Sequence, residues 1–391
     1  MARIIIFTGK GGVGKTSIAA AHALKAAKEG MKTLIVSTDM AHNLSDIFMA
    51  KISNEPTEVC KDLWALEIDP NYEMERHYGA ISGAFKKMIT FSNEKDAESF
   101  EDIVVFPGME ELFSLLKIKD ICDQNLYDLI IVDCAPTGET LSLLKLPELL
   151  AWYMEKLFPI GKVAMKILRP VSKAVFKVEM PDSEAMNDIE KLYVKLLKLQ
   201  QMLKDRELCS IRLVSIAEKM VVEETKRNYM YLNLYSFNVD ALFVNRLIPK
   251  DIDNVFFDKW KDIQQKYMDE IYSVFINMPI YKIKWYDTDI NGFEGLQRIV
   301  DDVLDQDDIF DVLKANSNET FEKTDNGYKL ELYIPFTDKR DFDLFQSGTD
   351  IIIKIGNFKR NIPIPNTLRQ YSISNAKLNE SHLQIYFEKE C

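Results

Sequence analysis

Basic charge is scarce in this 391-residue chain, where 49 Lys and Arg stand against 61 Asp and Glu for a net charge of −12. That balance argues against general nucleic-acid binding, which favours a basic face, and leaves room only for a local basic patch. Cysteine is sparse as well. The five, at 60, 122, 134, 209 and 391, form no C-x-x-C pair and no ligand cluster with the four histidines. They read as reduced thiols of the cytosol, without the spacing of a zinc site. No run of about eighteen uncharged apolar residues occurs, so no transmembrane helix is expected. No signal peptide precedes the first strand, and the cytoplasm is the default location. Internal repeats and low-complexity tracts do not stand out.

What is present begins at the N-terminus. Gly9-x-x-x-x-Gly14-Lys15-Thr16 fits the phosphate-binding pattern G-x-x-x-x-G-K-[ST]. Arg3 to Phe7 before it is β-branched and apolar, like a strand buried on both faces. Ser17 to Ala27 after it consists of strong helix formers. Strand, glycine loop and helix together aim backbone N–H groups and a helix N-terminus at phosphate. Lys15 is expected to reach the β- and γ-phosphates of ATP, and the Thr16 hydroxyl to ligate Mg²⁺. The loop carries a second lysine, Lys10, for which the pattern alone supplies no role.

The length suggests two domains. Apolar runs at Ile4–Thr8, Thr33–Ser37, Leu129–Asp133, Arg212–Ile216, Ala241–Asn245 and Val274–Met278 read as buried parallel strands separated by helical patterns. This predicts a doubly wound, mostly parallel α/β sheet, with ligands at the carboxyl ends of its strands. Two long apolar stretches, within 71–119 and 147–204, read as a helical subdomain beside the sheet. After a polar linker at 313–320 the pattern becomes all-β, with strands at Tyr328–Ile334, Asp350–Ile355, Lys359–Pro365 and Leu383–Phe387. This predicts a small β-sandwich over 321–391, following an ATPase domain over 1–312.

Further motifs follow strand ends. In Ser37-Thr38-Asp39-Met40, Asp39 can orient the attacking water of phosphoryl transfer, or it can cap a helix from Ala41 onward. Leu129-Ile130-Ile131-Val132-Asp133 is of Walker B form, and Asp133 is expected to hold Mg²⁺ through water. Gly138 lets a backbone N–H meet the γ-phosphate. Asn245 suits adenine recognition, and equally suits a turn.

Lys10-Gly11-Gly12-Val13-Gly14-Lys15-Thr16, with "STDMAHNLSD", "VDCAPTGET", "AEKMVVEETKR" and "VNR", resembles the arsenite-pump ATPase (ArsA) family. That family includes the GET-pathway ATPase, which targets tail-anchored membrane proteins, and is similar more broadly to the MinD and ParA type. The resemblance covers roughly residues 1–310. It implies a homodimer in which Lys10 reaches across to the partner's nucleotide, as an arginine finger does elsewhere. It also implies Asp39 as the water-activating acid, Asp133 as the switch acid, and Glu218 and Asn245 as nucleoside contacts. The expected catalytic set is Asp39, Lys10 and Lys15. The expected nucleotide set is Gly9, Lys10, Gly11, Gly12, Val13, Gly14, Lys15, Thr16, Ser17, Gly138, Glu218 and Asn245. The expected metal set is Thr16, Asp39 and Asp133. The end of the chain is similar to the small heat-shock, α-crystallin-like domain of some bacterial members.

The chain departs from the family pattern at Met40, where proline is usual, and at Glu139, where histidine is usual. It lacks the C-x-x-C of a zinc-clasped dimer, the thiol cluster of a metalloid site, and the second ATPase half of the pumps. Met154, Met165, Met180, Met186 and Met202 suit either a core or an adaptable surface for an apolar client. The resemblance favours the client, with a hydrophobic protein segment or a membrane protein as partner. The competing functions are an arsenite-stimulated pump subunit, a nucleotide-binding scaffold with little turnover, and a membrane-positioning switch.

Overall fold

A computed structural model describes residues 2–39, 43–73, 76, 109–135, 137–138, 140–141, 144–145, 148, 183–276, 278–305, 308–313, 319–325, 327–347, 350–356, 358–364 and 371–389, with backbone alone at 43, 109–111 and 183–190. The first eight strands are β1 (Arg3–Gly9), β2 (Thr33–Ser37), β3 (Thr57–Cys60), β4 (Leu63–Glu67), β5 (Leu129–Asp133), β6 (Cys209–Ile216), β7 (Val239–Leu247) and β8 (Ile280–Lys284). They form one sheet in the order β3-β4-β2-β5-β1-β6-β7-β8, parallel throughout except for the β3–β4 pair at one edge.

The helices are α1 (Lys15–Lys28), α2 (Asn43–Phe48), α3 (Met109–Gln124), α4 (Ser183–Lys204), α5 (Lys219–Leu234), α6 (Val255–Val274) and α7 (Gly292–Ile299), the last running into a π-helical turn at Val300–Leu304. One core joins Ile5, Phe7, Ile35, Ile131 and Phe243 of the sheet to α1, α2 and α7. The other joins Ile4, Ile6, Val36, Val132 and Leu242 to α3, α4, α5 and α6. Residues pointing to either face are thus buried, which is why these strands read as unbroken apolar runs. The sheet is doubly wound, as expected. Ala19, Ala20, Ala21 and Ala23 of α1 are fully buried, small enough to let the helix lie close on the sheet.

The remaining strands are β9 (Glu319–Thr324), β10 (Gly327–Tyr333), β11 (Phe342–Ser347), β12 (Asp350–Ile355), β13 (Phe358–Pro363), β14 (Tyr371–Asn379) and β15 (His382–Lys389). Antiparallel sheets β14-β15-β10-β9 and β11-β12-β13 make the small all-β part. It is anchored on α5. Tyr235, past the end of that helix, donates its hydroxyl to Lys359 O at 3.0 Å. The buried Arg360 of β13 donates to Leu234 O at 2.6 Å, to Ser236 Oγ at 3.2 Å and to Glu319 Oε2 at 2.7 Å. Its Nε lies 3.6 Å from Glu148, which also pairs with Lys204 at 2.6 Å.

Three expectations need correction. Val274–Met278 is no strand: Val274 ends α6, Phe275 caps it and the buried Met278 lies in the turn before β8. Short apolar runs do not distinguish a helix end from a strand. Glu319 and Thr320, read as linker, begin β9, where Thr320 pairs with Glu331. The strand read to Pro365 ends at Pro363, and Pro365 lies outside the described residues. The strands β3, β4, β8, β9, β11 and β14 correspond to no strand expected from the sequence. Met154, Met165 and Met180 lie outside the described residues, as does the side chain of Met186. Met202 is buried in the core beside α3.

Candidate nucleotide site

The register places Phe7 of β1 and Ser37 of β2 on either side of Asp133 of β5. Three strand ends therefore deliver the glycine loop, Asp39 and Asp133 to one edge of the sheet. Glycine is required at two points. A Cβ on Gly9 would lie 2.2 Å from Val214 O, and Gly14 has φ of 94° with Asn245 Nδ2 2.3 Å from where its Cβ would be. Gly12, at φ 78°, has nothing within 4 Å of a Cβ position and faces open space. Helix α1 starts at Lys15 with no acidic residue in its first turn and no side-chain cap on its N–H groups. Its positive end is therefore uncompensated within the helix, the condition that favours an anion.

Thr16 Oγ1 donates to Asp133 Oδ2 at 2.7 Å. Asp133 is buried and its other oxygen, Oδ1, has no hydrogen-bond partner. Burial pushes its carboxyl up to about 7, against the opposing pull of Thr16 and Lys15, and nearby Asp39 raises it further. Lys15 is buried, with Nζ donating to Lys10 O at 3.3 Å. Lys10 points away to Glu224 of α5 at 3.8 Å, in a pair whose side chains are 38 and 30 % exposed. Ser17 lies in the first turn of α1. The Asp39 backbone N–H donates to Ser37 Oγ at 3.2 Å. Gly138 is exposed. Met40 and Glu139 lie outside the described residues.

The two nucleoside candidates sit one strand further along. Asn245 Nδ2 donates to Val13 O at 2.9 Å, and its Oδ1 accepts from Arg246 N at 2.8 Å. Its amide braces the loop. Glu218 stands at the N-cap of α5 without capping it and lines a cavity of about 350 Å³. Sequence reasoning missed Glu224, although it lies within "AEKMVVEETKR". It also missed the aromatic wall of that cavity, Phe256, Phe257, Trp260 and Trp285. The signal was available in α6, whose first turns carry large apolar residues that remain exposed.

The family model of anion-transporting ATPases matches residues 2–305, and that of an HSP20-like domain found in ArsA matches 325–387. The chain belongs to the anion-transporting ATPase family. This ArsA-type ATPase is accordingly an ATP hydrolase. It is 35% identical to a protein of Prosthecochloris vibrioformis named as an arsenical pump-driving ATPase, over 99% of this chain and 96% of that one. A protein of the same naming from Aquifex aeolicus is 32% identical, over 98% of this chain and 99% of the relative. The protein named ATPase GET3 of Podospora anserina is 29% identical, over 76% of this chain and 88% of the relative. The ArsA-type ATPase has, among its described residues, no helix long and apolar enough to cross a membrane.

Proposed function

We propose that this ATPase works as an Mg²⁺-dependent homodimer in which Lys10 of each copy completes the nucleotide site of the other. The observation that carries the reading is the Thr16–Asp133 contact beside an acid-free helix N-terminus, with one buried carboxylate oxygen left over. A hydroxyl and a carboxylate are the hard oxygen ligands that Mg²⁺ takes, so the residues present fit the ion. Bound there with ATP, the ion supplies positive charge to the β- and γ-phosphate oxygens.

The chain's own residues divide the remaining work. The loop from Gly9 to Gly14 and the first turn of α1, with Thr16 and Ser17, hold phosphate through backbone N–H groups. Lys15 reaches the outer phosphates. Asp39, at the adjacent strand end, orients the attacking water, and Gly138 meets the γ-phosphate. Glu218 faces the nucleoside, while Asn245 holds Val13 in place. Lys10 stabilises charge developing on the partner's γ-phosphate. Its tie to Glu224 is long and partly exposed, and such pairs are worth roughly 0–1 kcal/mol, so little opposes its release.

Contacts to the γ-phosphate then favour a closed dimer and hydrolysis releases it. The cycle acts on the stretches 71–119 and 147–204 assigned to the client from the sequence, which bind an apolar protein segment. The pump reading is weaker. The Cys122, Cys134 and Cys209 thiols are buried and each is pushed up to about 12, which keeps them protonated and poor metalloid ligands.

The test is ATP turnover by wild type, Lys10→Ala and Asp39→Asn, with and without Mg²⁺, alongside molar mass in ADP and in a non-hydrolysable ATP analogue. Turnover that needs Mg²⁺ and both residues, with a dimer tightened by the analogue, is expected. A chain that stays monomeric and keeps its turnover after Lys10→Ala overturns the dimeric mechanism.

A further inference from the structure

We propose that Phe358 and Arg360 of β13 are positioning residues for ATP hydrolysis, holding the far end of the helix that presents Gly138 to the γ-phosphate. The proposal rests on the Gly138 reading above and makes the sandwich part of what keeps that contact in place.

Gly138 belongs to a helix that follows Asp133. Residues 137, 138, 140, 141, 144, 145 and 148 are all helical, while Ala135 is not. Thr140 Oγ1 donates to Ala135 O at 2.6 Å at the start of this helix, and Leu141 and Leu144 are buried in the core shared with α3, α4, α5 and α6. Lys145 and Glu148, three residues apart, share one side of it. At 1.5 Å per residue, Glu148 stands about 15 Å along the axis from Gly138.

That distant end meets β13. Lys145 Nζ lies 5.1 Å from the centroid of the Phe358 ring, which itself packs on Tyr231 of α5 with centroids 3.7 Å apart. Arg360 Nε lies 3.6 Å from Glu148 Oε1, and Lys204 at the end of α4 holds the other carboxylate oxygen at 2.6 Å. The strand is already fixed on α5 through Leu234 O, Ser236 and Tyr235. The contacts to Lys145 and Glu148 therefore add a grip on an element that starts at the phosphate edge of the sheet.

The grip is open at one point. Arg360 Nε is buried and has no hydrogen-bond partner. Its 3.6 Å from Glu148 Oε1 exceeds the roughly 2.7–2.9 Å of a charge-assisted hydrogen bond by less than about 1 Å, so a small shift of the helix toward β13 pairs a buried donor. A γ-phosphate fixes the helix at Gly138, and β13 fixes it at Lys145 and Glu148. Each anchor lowers the ordering cost of the other, and such coupling is reciprocal. ATP thus tightens the β13 contact, and the β13 contact sharpens the hold on the γ-phosphate, where charge develops during the reaction.

The experiment measures Kd for ADP and for a non-hydrolysable ATP analogue, with kcat and KM for ATP, on the full chain. The variants are Lys145→Met, Lys145→Arg, Glu148→Gln, Phe358→Leu, the double variant Lys145→Met with Glu148→Gln, and Gly138→Pro, which deletes the N–H at issue. Far-UV circular dichroism checks folding. Lys145→Met, Glu148→Gln and Phe358→Leu are each expected to lower kcat and the preference for the analogue over ADP by about threefold, and the double variant by about tenfold. ADP affinity stays unmoved, and Lys145→Arg, which keeps a cation over the ring, behaves as wild type. In wild type, the β13 amides exchange more slowly with the analogue than with ADP, as reciprocity requires, and this comparison decides the question if the variants misfold. Unchanged kcat and preference in folded variants overturn the proposal, as does an equal weakening of ADP and analogue, the mark of a merely structural contact, or β13 exchange that ignores the nucleotide. A folded Gly138→Pro that discriminates as wild type does overturns the Gly138 reading and the proposal with it. Discrimination lost in Gly138→Pro but kept in the other variants overturns the proposal alone.

Discussion

Replacing Arg360 by methionine removes the cation that joins the β-sandwich to the α/β body while keeping most of the side-chain volume. The change deletes hydrogen bonds to Leu234 O, Ser236 Oγ and Glu319 Oε2. It leaves the partly buried Glu319 without its arginine partner, while Ser236 Oγ still donates to it. Glu148 is less affected, since Lys204 still pairs with it. Hydrogen bonds to charged groups contribute about 1.5–3 kcal/mol each, but their sum overstates the loss because the site relaxes. Breaking a buried ion pair by removing one partner costs about 3–5 kcal/mol, and that range applies here. Against a typical stability of 5–15 kcal/mol this is large.

Unfolding in guanidinium, followed by circular dichroism and tryptophan fluorescence together, is the assay. The expected result is a transition that splits, the sandwich losing structure first, with the midpoint lowered by the equivalent of several kcal/mol. The loss should shrink as pH falls. In the wild type, Arg360, Ser236 and Lys204 hold the Glu319 carboxyl below its ordinary value against burial. A carboxylate with a depressed folded pKa contributes stability above its unfolded pKa and loses it as pH falls through the folded one. The gap between wild type and variant is therefore widest near neutrality and narrows below about pH 4.5. A single unshifted transition at pH 7, with a change under about 1 kcal/mol, would refute the argument that this arginine couples the two parts.

Two further outcomes follow from other buried groups. Asp133→Asn abolishes turnover yet leaves the nucleotide-free protein equally or more heat-stable, measured by differential scanning calorimetry. The carboxyl's rise from 3.8 to about 7 means that ionisation costs stability as pH climbs through that window, by up to about 4 kcal/mol, and the amide removes that pH slope. His22 is fully buried between Phe7 and Phe243, with Nδ1 2.7 Å from Ile18 O, and desolvation holds its pKa well below the ordinary value. Its ring resonances should stay in the neutral position from pH 8 to pH 5.5 in an NMR titration. Because the unfolded chain takes up the proton first, this group makes stability fall as pH drops below about 6.5. A mid-range titration of His22 contradicts the burial argument.

The strand, glycine loop and helix at the start of the chain were legible in the sequence because they are set locally. Gly9, Gly14, Lys15 and Thr16 adjoin one another, and the strand before them and the helix after them are set by neighbouring residues. The doubly wound sheet was legible for a related reason, since strands buried on both faces carry unbroken β-branched runs. The contacts that organise the rest join residues far apart in the chain. Arg360 sits in Lys359-Arg360-Asn361, which reads as a solvated strand, yet it binds a carbonyl 126 positions away. Glu319 looked like linker, and its place in β9 depends on an arginine 41 residues on. Charged side chains are exposed by default and become buried only where folding supplies a partner, which the local pattern does not encode. The same holds for Asn245. Its type suggested base recognition, and the packing of β7 against the loop adds a contact to Val13 O that no local pattern encodes. Sequence alone determined the strand–loop–helix start, the ATPase family and the layering of the sheet. Tertiary structure decided which charges are buried, which carbonyls the amides of Asn245 and Gln264 brace, and how the β-sandwich grips α5, because each of those depends on partners that only the completed fold brings within hydrogen-bonding distance.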